Sequence, residues 1–63
     1  MHLELKLADG GHERVEVDEG HSLNDELDLF LHRQGKYETG WVPIGAGASY
    51  VRYEQVAEVR PVA

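Results

Sequence analysis

Alternating apolar and polar residues open the chain and predict two strands. Leucines at positions 3, 5 and 7 alternate with polar side chains, and valines at positions 15 and 17 do the same after Asp9-Gly10-Gly11. Strict alternation is typical of a half-buried strand, and a short glycine-containing segment between two such runs is typical of a hairpin turn. Residues 1–17 therefore predict an antiparallel β-hairpin.

The register of this hairpin has two candidate solutions, since facing residues must share one side of the sheet. A three-residue loop over 9–11, with a glycine in the left-handed conformation, pairs Leu5 with Val15. That register faces Glu4 with Glu16, whereas a shift by two residues faces Glu16 with a lysine. The turn chemistry favours the first solution.

A helix is predicted over about residues 22–34. Ser22 has a hydroxyl suited to the N-cap, Asp25 stands where capping-box acids occur, and Gly35 is placed to take the left-handed conformation that ends a helix. Leu29 falls away from the apolar stripe, which predicts an exposed leucine or a contact surface. The residues expected to pack on the sheet recur at helical spacing: Leu23, Leu27, Phe30 and Leu31.

The second half predicts shorter elements. Residues 40–44 favour a strand at a sheet edge or at a strand end, because Pro43 has no N–H to donate to a neighbour. The remaining elements are a turn, a short strand, a tight or 3₁₀ turn and a last strand with Val59 inward, over 45–48, 49–51, 53–55 and 56–62. The predicted fold class is α+β, in the order ββαβββ, within one domain over residues 1–63.

Several motifs accompany this order of elements. The sequence opens with Met1-x-Leu3-x-Leu5, closes the hairpin with Val15-Glu16-Val17 and starts the helix with Ser22-Leu23. Together they resemble the ubiquitin-like β-grasp fold. Residues 36–55 fit that fold poorly, so a plain helix-on-meander arrangement is an alternative.

One segment has a narrower resemblance. Residues 17–27 look like the corresponding part of the small sulfur-carrier proteins of thiamine and molybdopterin synthesis, and Val56-Ala57 is similar to the start of their last strand. Those carriers act through a C-terminal Gly-Gly that is loaded with sulfur, whereas this sequence has Pro61-Val62-Ala63 there. The resemblance therefore implies a β-grasp-like scaffold without the carrier chemistry.

Composition further limits the kinds of protein to which this sequence can correspond. The chain has 63 residues and no cysteine, which excludes disulfides, zinc–cysteine clusters and thiol nucleophiles. So short a chain buries only about 60% of the surface that its unfolded form exposes, so it needs either well-idealised local structure or a partner subunit, and a homodimer is one of the two alternatives. The alternating N-terminus predicts no signal peptide and no membrane span. A cytoplasmic protein is expected, and the abundance of alanine, glycine, valine and arginine favours a bacterial source.

Charge is distributed unevenly. The net charge is −6, and residues 16–28 contain six acidic residues with no lysine or arginine. This argues against nucleic-acid binding, which needs clustered cations. The acidic stretch is interpreted as a solvated loop and helix start or, alternatively, as a patch for a basic partner, made of Asp18, Glu19, Asp25 and Asp28.

Catalytic and metal chemistry find no support in the sequence. Ser22 is best explained as a helix cap, and the adjacent carboxylates Asp25 and Glu26 point apart on a helix. The four histidines match no zinc spacing, so no cofactor and no metal site are predicted. The sequence therefore predicts a chain that is not an enzyme.

Large aromatic side chains concentrate in residues 37–53. They are interpreted either as core filling or as a contact surface, since aromatic residues are enriched at interface centres. The resulting hypothesis is a non-catalytic module that binds a protein partner or itself through Trp41, Tyr50, Tyr53 and Leu29. The alternative is an acidic inhibitor or regulator that binds a basic partner surface.

Overall fold

The chain folds into a three-stranded sheet, a two-stranded ribbon and one helix. The computed structural model describes residues 1–45 and 49–63. In chain order the elements are β1 (His2–Leu7), β2 (His12–Glu16), α1 (Leu23–Leu31), a first 3₁₀ turn (Gly35–Tyr37), β3 (Trp41–Ile44), β4 (Ser49–Arg52), a second 3₁₀ turn (Tyr53–Gln55) and β5 (Val56–Val62). The predicted α+β class and the order ββαβββ are confirmed. The turn predicted over 45–48 lies, for its residues 46–48, outside the described residues.

The first and last strands are neighbours in the sheet. Its order is β2-β1-β5, and both pairings are antiparallel. A meander would pair each strand with the next one along the chain, so β1 beside β5 excludes that alternative. Among the described residues, the ribbon of β3 and β4 is hydrogen-bonded to the sheet at Gly45, whose N–H donates to the carbonyl of Arg14 (2.9 Å).

The hairpin forms, but in neither predicted register. Leu3, and not Leu5, faces Val15, and both of these side chains are buried. The observed register also faces Glu4 with Arg14. The like-charge pair of the favoured prediction is thus replaced by an opposite-charge pair.

The loop explains this register. It has three residues, as predicted, but it covers 8–10 because Gly10, with φ 92°, is its last residue. The N–H of Leu7 donates to the carbonyl of Gly11 (2.8 Å) and closes the loop, while the N–H of Gly11 donates to Oδ1 of Asp9 (2.8 Å). Asp9 therefore fixes the turn from the second loop position. The predicted loop began at Asp9, so the predicted register differs from the observed one by one residue in each strand.

The apolar interior lies between the helix, the sheet and the ribbon. α1 contacts β1 and β5, and β3 contacts β2 and the first 3₁₀ turn. The Phe30 ring lies 5.1 Å from that of Tyr37 and 4.9 Å from that of Tyr53, so one helical side chain connects both 3₁₀ turns. The buried apolar residues come from β1, β2, α1, the first 3₁₀ turn and β3: Leu3, Leu5, Val15, Phe30, Tyr37, Val42 and Ile44. Within the described ranges no helix has the length and apolar character needed to cross a membrane.

The helix begins as predicted and ends earlier. It stops at Leu31, and Arg33, with φ 52°, takes the left-handed conformation next to the helix end. Gly35 is also left-handed, with φ 60°, but it starts the first 3₁₀ turn. The N–H of Gln34 donates to the carbonyl of Leu29 (2.9 Å) and that of Arg33 to the carbonyl of Phe30 (3.2 Å), and these are the two hydrogen bonds of a Schellman motif. The Arg33 guanidinium lies 4.6 Å from the centre of the Tyr53 ring, and this contact helps to offset the cost of a left-handed arginine.

The buried side of the helix is rotated from the predicted stripe. Glu26 and Phe30 are buried, whereas Leu31, expected to pack on the sheet, is 54% exposed. Leu29, expected to point away, is half-buried and packs against the core. Both expectations are wrong for one reason: Tyr37 lies beside the helix and provides a polar partner for Glu26, so the helix can bury that carboxylate instead of Leu31.

Replacing Ser22 by alanine is expected to lower the free energy of unfolding by about 1 kcal/mol. The Ser22 hydroxyl accepts a hydrogen bond from the N–H of Asp25 (3.0 Å), and alanine leaves that N–H to solvent. Urea unfolding followed by circular dichroism measures the change. Ser49→Ala in β4 is the matched control because Ser49 is exposed and caps no helix. Equal effects of both substitutions would contradict the importance of the cap.

Candidate functional site

The ribbon of β3 and β4 has one buried face and one outward face. Val42 and Ile44 are buried on the inner face. Because directly paired residues of antiparallel strands share a face and alternate residues point the same way, four side chains point outward together. We call this set the ribbon face: Trp41 paired with Arg52, and Pro43 paired with Tyr50.

Two aromatic side chains of the ribbon face form an open groove. Trp41 is 46% exposed and Tyr50 is 57% exposed. With Thr39 they line a groove of about 470 Å³ whose walls are mostly apolar. The Arg52 guanidinium lies 5.1 Å from the centre of the Trp41 ring, so one cation borders the groove.

Local interactions hold the ribbon in place against the rest of the fold. Gly40, with φ 84°, turns the chain into β3, and its carbonyl accepts a hydrogen bond from the N–H of Tyr53 (2.8 Å). The Thr39 hydroxyl accepts a hydrogen bond from the N–H of Trp41 (3.2 Å). Trp41 is thus presented by a backbone that is fixed at its base and packed on its inner face.

Two of the four residues hypothesised for the contact surface do not lie in this groove. The Tyr53 hydroxyl donates to the carbonyl of Phe30 (2.6 Å), and its ring lies between that of Phe30 and the Arg33 guanidinium. Tyr53 therefore ties the ribbon to the end of the helix. Leu29 is half-buried against the core and contributes little exposed surface.

The acidic residues of the alternative hypothesis are exposed on the loop before α1 and on α1 itself: Asp18, Glu19, Asp25 and Asp28. Within residues 1–45 and 49–63, no three acidic or histidine side chains converge on a point that suits a metal ion. The exposed position of these acids agrees with a solvated charged surface.

A buried polar pair that the sequence analysis missed lies beneath the helix. The Tyr37 hydroxyl donates to Oε2 of Glu26 (2.5 Å), and neither side chain is more than 1% exposed. Lys36 Nζ lies 3.5 Å from Oε2, and His21 Nδ1 lies 3.6 Å from Oε1 and forms an ion pair when it is protonated. Burial raises the pKa of Tyr37 well above its usual value, and the hydrogen bond to Glu26 and the charges of Glu26 and Asp18 raise it further.

This pair has a structural role in the interior. The carboxylate accepts a hydrogen bond from the phenol and lies near Lys36 at its margin, and among the described residues no buried side-chain polar atom lacks a hydrogen-bond partner. Two features of the sequence point to the pair. Glu26 lies one helical turn before Phe30, and a buried tyrosine such as Tyr37 needs a partner for its hydroxyl.

A second groove, of about 450 Å³, crosses the outer face of β1 and β5. Its charged walls are paired: Arg60 donates to Glu4 (2.8 Å), and Lys6 faces Glu58 across the strands. Exposed pairs of this kind contribute only about 0–1 kcal/mol to stability. This face is a solvated charged surface with its cations and anions in balance, and it has no aromatic anchor.

The ribbon face is therefore the strongest candidate for function. The ubiquitin-like relationship stays a prediction, because the order of elements agrees with it but the structure alone does not establish a relationship to a family. Comparisons of the chain with protein-family models, with curated proteins and with solved structures find no match.

Proposed function

We propose that this chain is a non-catalytic protein-binding domain and that the ribbon face is its contact surface. The proposal depends on one observation: some aromatic side chains are packed inside the fold, whereas others are exposed to solvent. The rings of Phe30, Tyr37 and Tyr53 pack on one another, whereas those of Trp41 and Tyr50 are about half exposed on either side of one groove. The bacterial, cytoplasmic setting expected from the sequence is part of this proposal.

The residue types on the ribbon face support a binding role. Tryptophan, tyrosine and arginine are the residues most enriched among side chains that dominate binding energy at interfaces. All three lie on the ribbon face, and they are carried by a ribbon whose inner face is packed. Little conformational freedom is then lost on binding, since the anchoring backbone is already ordered.

A partner different from the chain itself is favoured over self-association. Each copy has a net charge of −6, and two such copies repel each other at low salt. Binding to another protein is therefore the proposal, and the homodimer expected from the sequence is an outcome of its test.

Selection from a random peptide library displayed on phage tests the proposal. The wild-type domain is expected to enrich peptides whose affinity falls about tenfold or more in Trp41→Ala and in Tyr50→Ala, since the aromatic anchors that dominate an interface contribute about 2 kcal/mol or more. Leu31→Ala is the matched control because it removes an equally exposed apolar side chain from the helix. All three variants are expected to keep the wild-type melting temperature, which separates lost contacts from lost fold.

Other outcomes identify the competing functions. Enriched peptides that are basic, indifferent to Trp41→Ala and released by salt would support the acidic regulator instead. Sedimentation of the free domain over a range of concentrations detects self-association, and a dimer that Trp41→Ala dissociates would assign the ribbon face to a second copy. No enrichment with a monomer at all concentrations would overturn the proposal.

A further inference from the structure

We infer that the ribbon face takes an extended, proline-rich segment in the polyproline II conformation, with an acidic residue next to the prolines. The inference rests on the proposed function and names the class of partner for the same surface. Three properties of the groove support it: the arrangement of its two exposed rings, its hydrogen-bond donors, and its charge.

The arrangement of the two rings suits the flat apolar face of a proline ring. Trp41 and Tyr50 are diagonal neighbours, because Trp41 pairs with Arg52 and Tyr50 pairs with Pro43. Diagonal neighbours on antiparallel strands are within reach of each other when their side chains are aromatic. Both rings are about half exposed and line one mostly apolar groove, and aromatic-lined grooves of this kind bind proline rings.

The polar atoms of the groove suit a polyproline II backbone. The indole N–H of Trp41 and the hydroxyl of Tyr50 have no hydrogen-bond partner among the residues that the structure describes. A polyproline II segment has no internal hydrogen bonds, so its carbonyls are free to accept from these two donors. Proline has no N–H, so the segment needs no acceptors from the groove. Aromatic-lined grooves that bind such segments use this combination of apolar faces and donors.

The positive charge on the ribbon face favours an acidic residue next to the prolines of the bound segment. The four outward side chains of the ribbon face include one cation, Arg52, and no anion, on a chain with a net charge of −6. A carboxylate next to the prolines can pair with Arg52 while the prolines occupy the rings. One arginine is too little for a nucleic-acid strand, whose binding needs a basic groove along the backbone.

The single tryptophan of the chain makes the test direct, because its fluorescence reports on Trp41 alone. The probe is a blocked polyproline peptide that ends in two glutamates. Saturable quenching or a spectral shift is expected. A peptide of the same length with alternate prolines replaced by glycines is expected to bind at least tenfold more weakly, because it is not preorganised as a polyproline II helix. A peptide that ends in two lysines is expected to bind several-fold more weakly.

Variants assign each contact. Tyr50→Phe keeps the ring and removes the hydroxyl, and a loss of about fivefold is expected, which corresponds to about 1 kcal/mol for one hydrogen bond. Tyr50→Ala is expected to lose tenfold or more. Arg52→Gln is expected to abolish the preference for glutamate over lysine while some proline binding remains, and Leu31→Ala is expected to bind as the wild type does.

The inference and the proposed function can fail separately. Equal affinity for the proline and glycine peptides, or no fluorescence change with either, would overturn the inference. If the library then still yields peptides that need Trp41 and Tyr50 but lack proline, the protein-binding function stands with a different ligand. If the library yields no peptides that need Trp41 and Tyr50, both the inference and the proposed function are overturned.

Discussion

Replacing Tyr37 by phenylalanine is expected to lower the free energy of unfolding by about 1.5–3 kcal/mol, although the substitution removes a single oxygen atom. The hydroxyl donates to a carboxylate that is almost wholly buried, and phenylalanine leaves Glu26 without this donor. Lys36 and His21, at 3.5 and 3.6 Å, lie at the margin and cannot replace a 2.5 Å hydrogen bond. A domain of this length has a total stability of about 3–9 kcal/mol, so the loss is a large fraction of it.

A double-mutant cycle distinguishes this explanation from a simple packing defect. Glu26→Met keeps the length of the side chain and leaves the Tyr37 hydroxyl unsatisfied, at an expected cost of about 1–3 kcal/mol. The double variant has neither polar group, so it is expected to be more stable than the sum of the two losses by at least about 1 kcal/mol. Urea unfolding at neutral pH measures all three variants. Tyr50→Phe, on an exposed ring, is the matched control, and additive losses would contradict the buried pair.

Local patterns were sufficient to predict the strands and the helix, but not the first 3₁₀ turn (Gly35–Tyr37). Alternation predicts β1 and β2, and Ser22 predicts the start of α1, because each depends on neighbours in the sequence. The register of the hairpin depends on which loop position Asp9 occupies, and a shift of one residue along each strand changes every pair. The pairing of β1 with β5 joins the two ends of the chain, and no local pattern encodes it.

The candidate site was also only partly predicted, because some of its residues depend on neighbours in the sequence and others depend on contacts between distant parts of the chain. Trp41 and Tyr50 lie on paired strands, so their joint exposure follows from the ribbon, and the concentration of aromatic residues was enough to nominate them. Tyr53 has the same residue type and the opposite role, since its hydroxyl reaches the carbonyl of Phe30 across the fold. Glu26 belongs to the acidic stretch that was interpreted as solvated, because a carboxylate without a visible partner is expected in water, and that interpretation is wrong for this residue. Its partner is eleven positions away in the chain and meets it only in the folded structure.

The same pair makes the stability of the domain sensitive to alkaline pH. Burial, and then the hydrogen bond and charge of Glu26, raise the pKa of Tyr37 in the folded chain above the value of about 10 that it has when unfolded. Below that value the phenol is protonated in both states and its full contribution is present. Above it the unfolded chain releases the proton while the folded chain retains it, so the free energy of unfolding falls.

We therefore expect the free energy of unfolding to decline by about 1.4 kcal/mol per pH unit above about pH 10 through this one group. Urea unfolding at a series of alkaline pH values measures the slope in the wild type. Tyr37→Phe is expected to remove this contribution although it is less stable at neutral pH, whereas Tyr50→Phe retains Tyr37 and is expected to keep it. Absorbance of phenolate provides an independent check, because one of the three tyrosines should ionise only as the chain unfolds. Equal slopes in the wild type and in Tyr37→Phe would show that the phenol is not held in its protonated form by the fold.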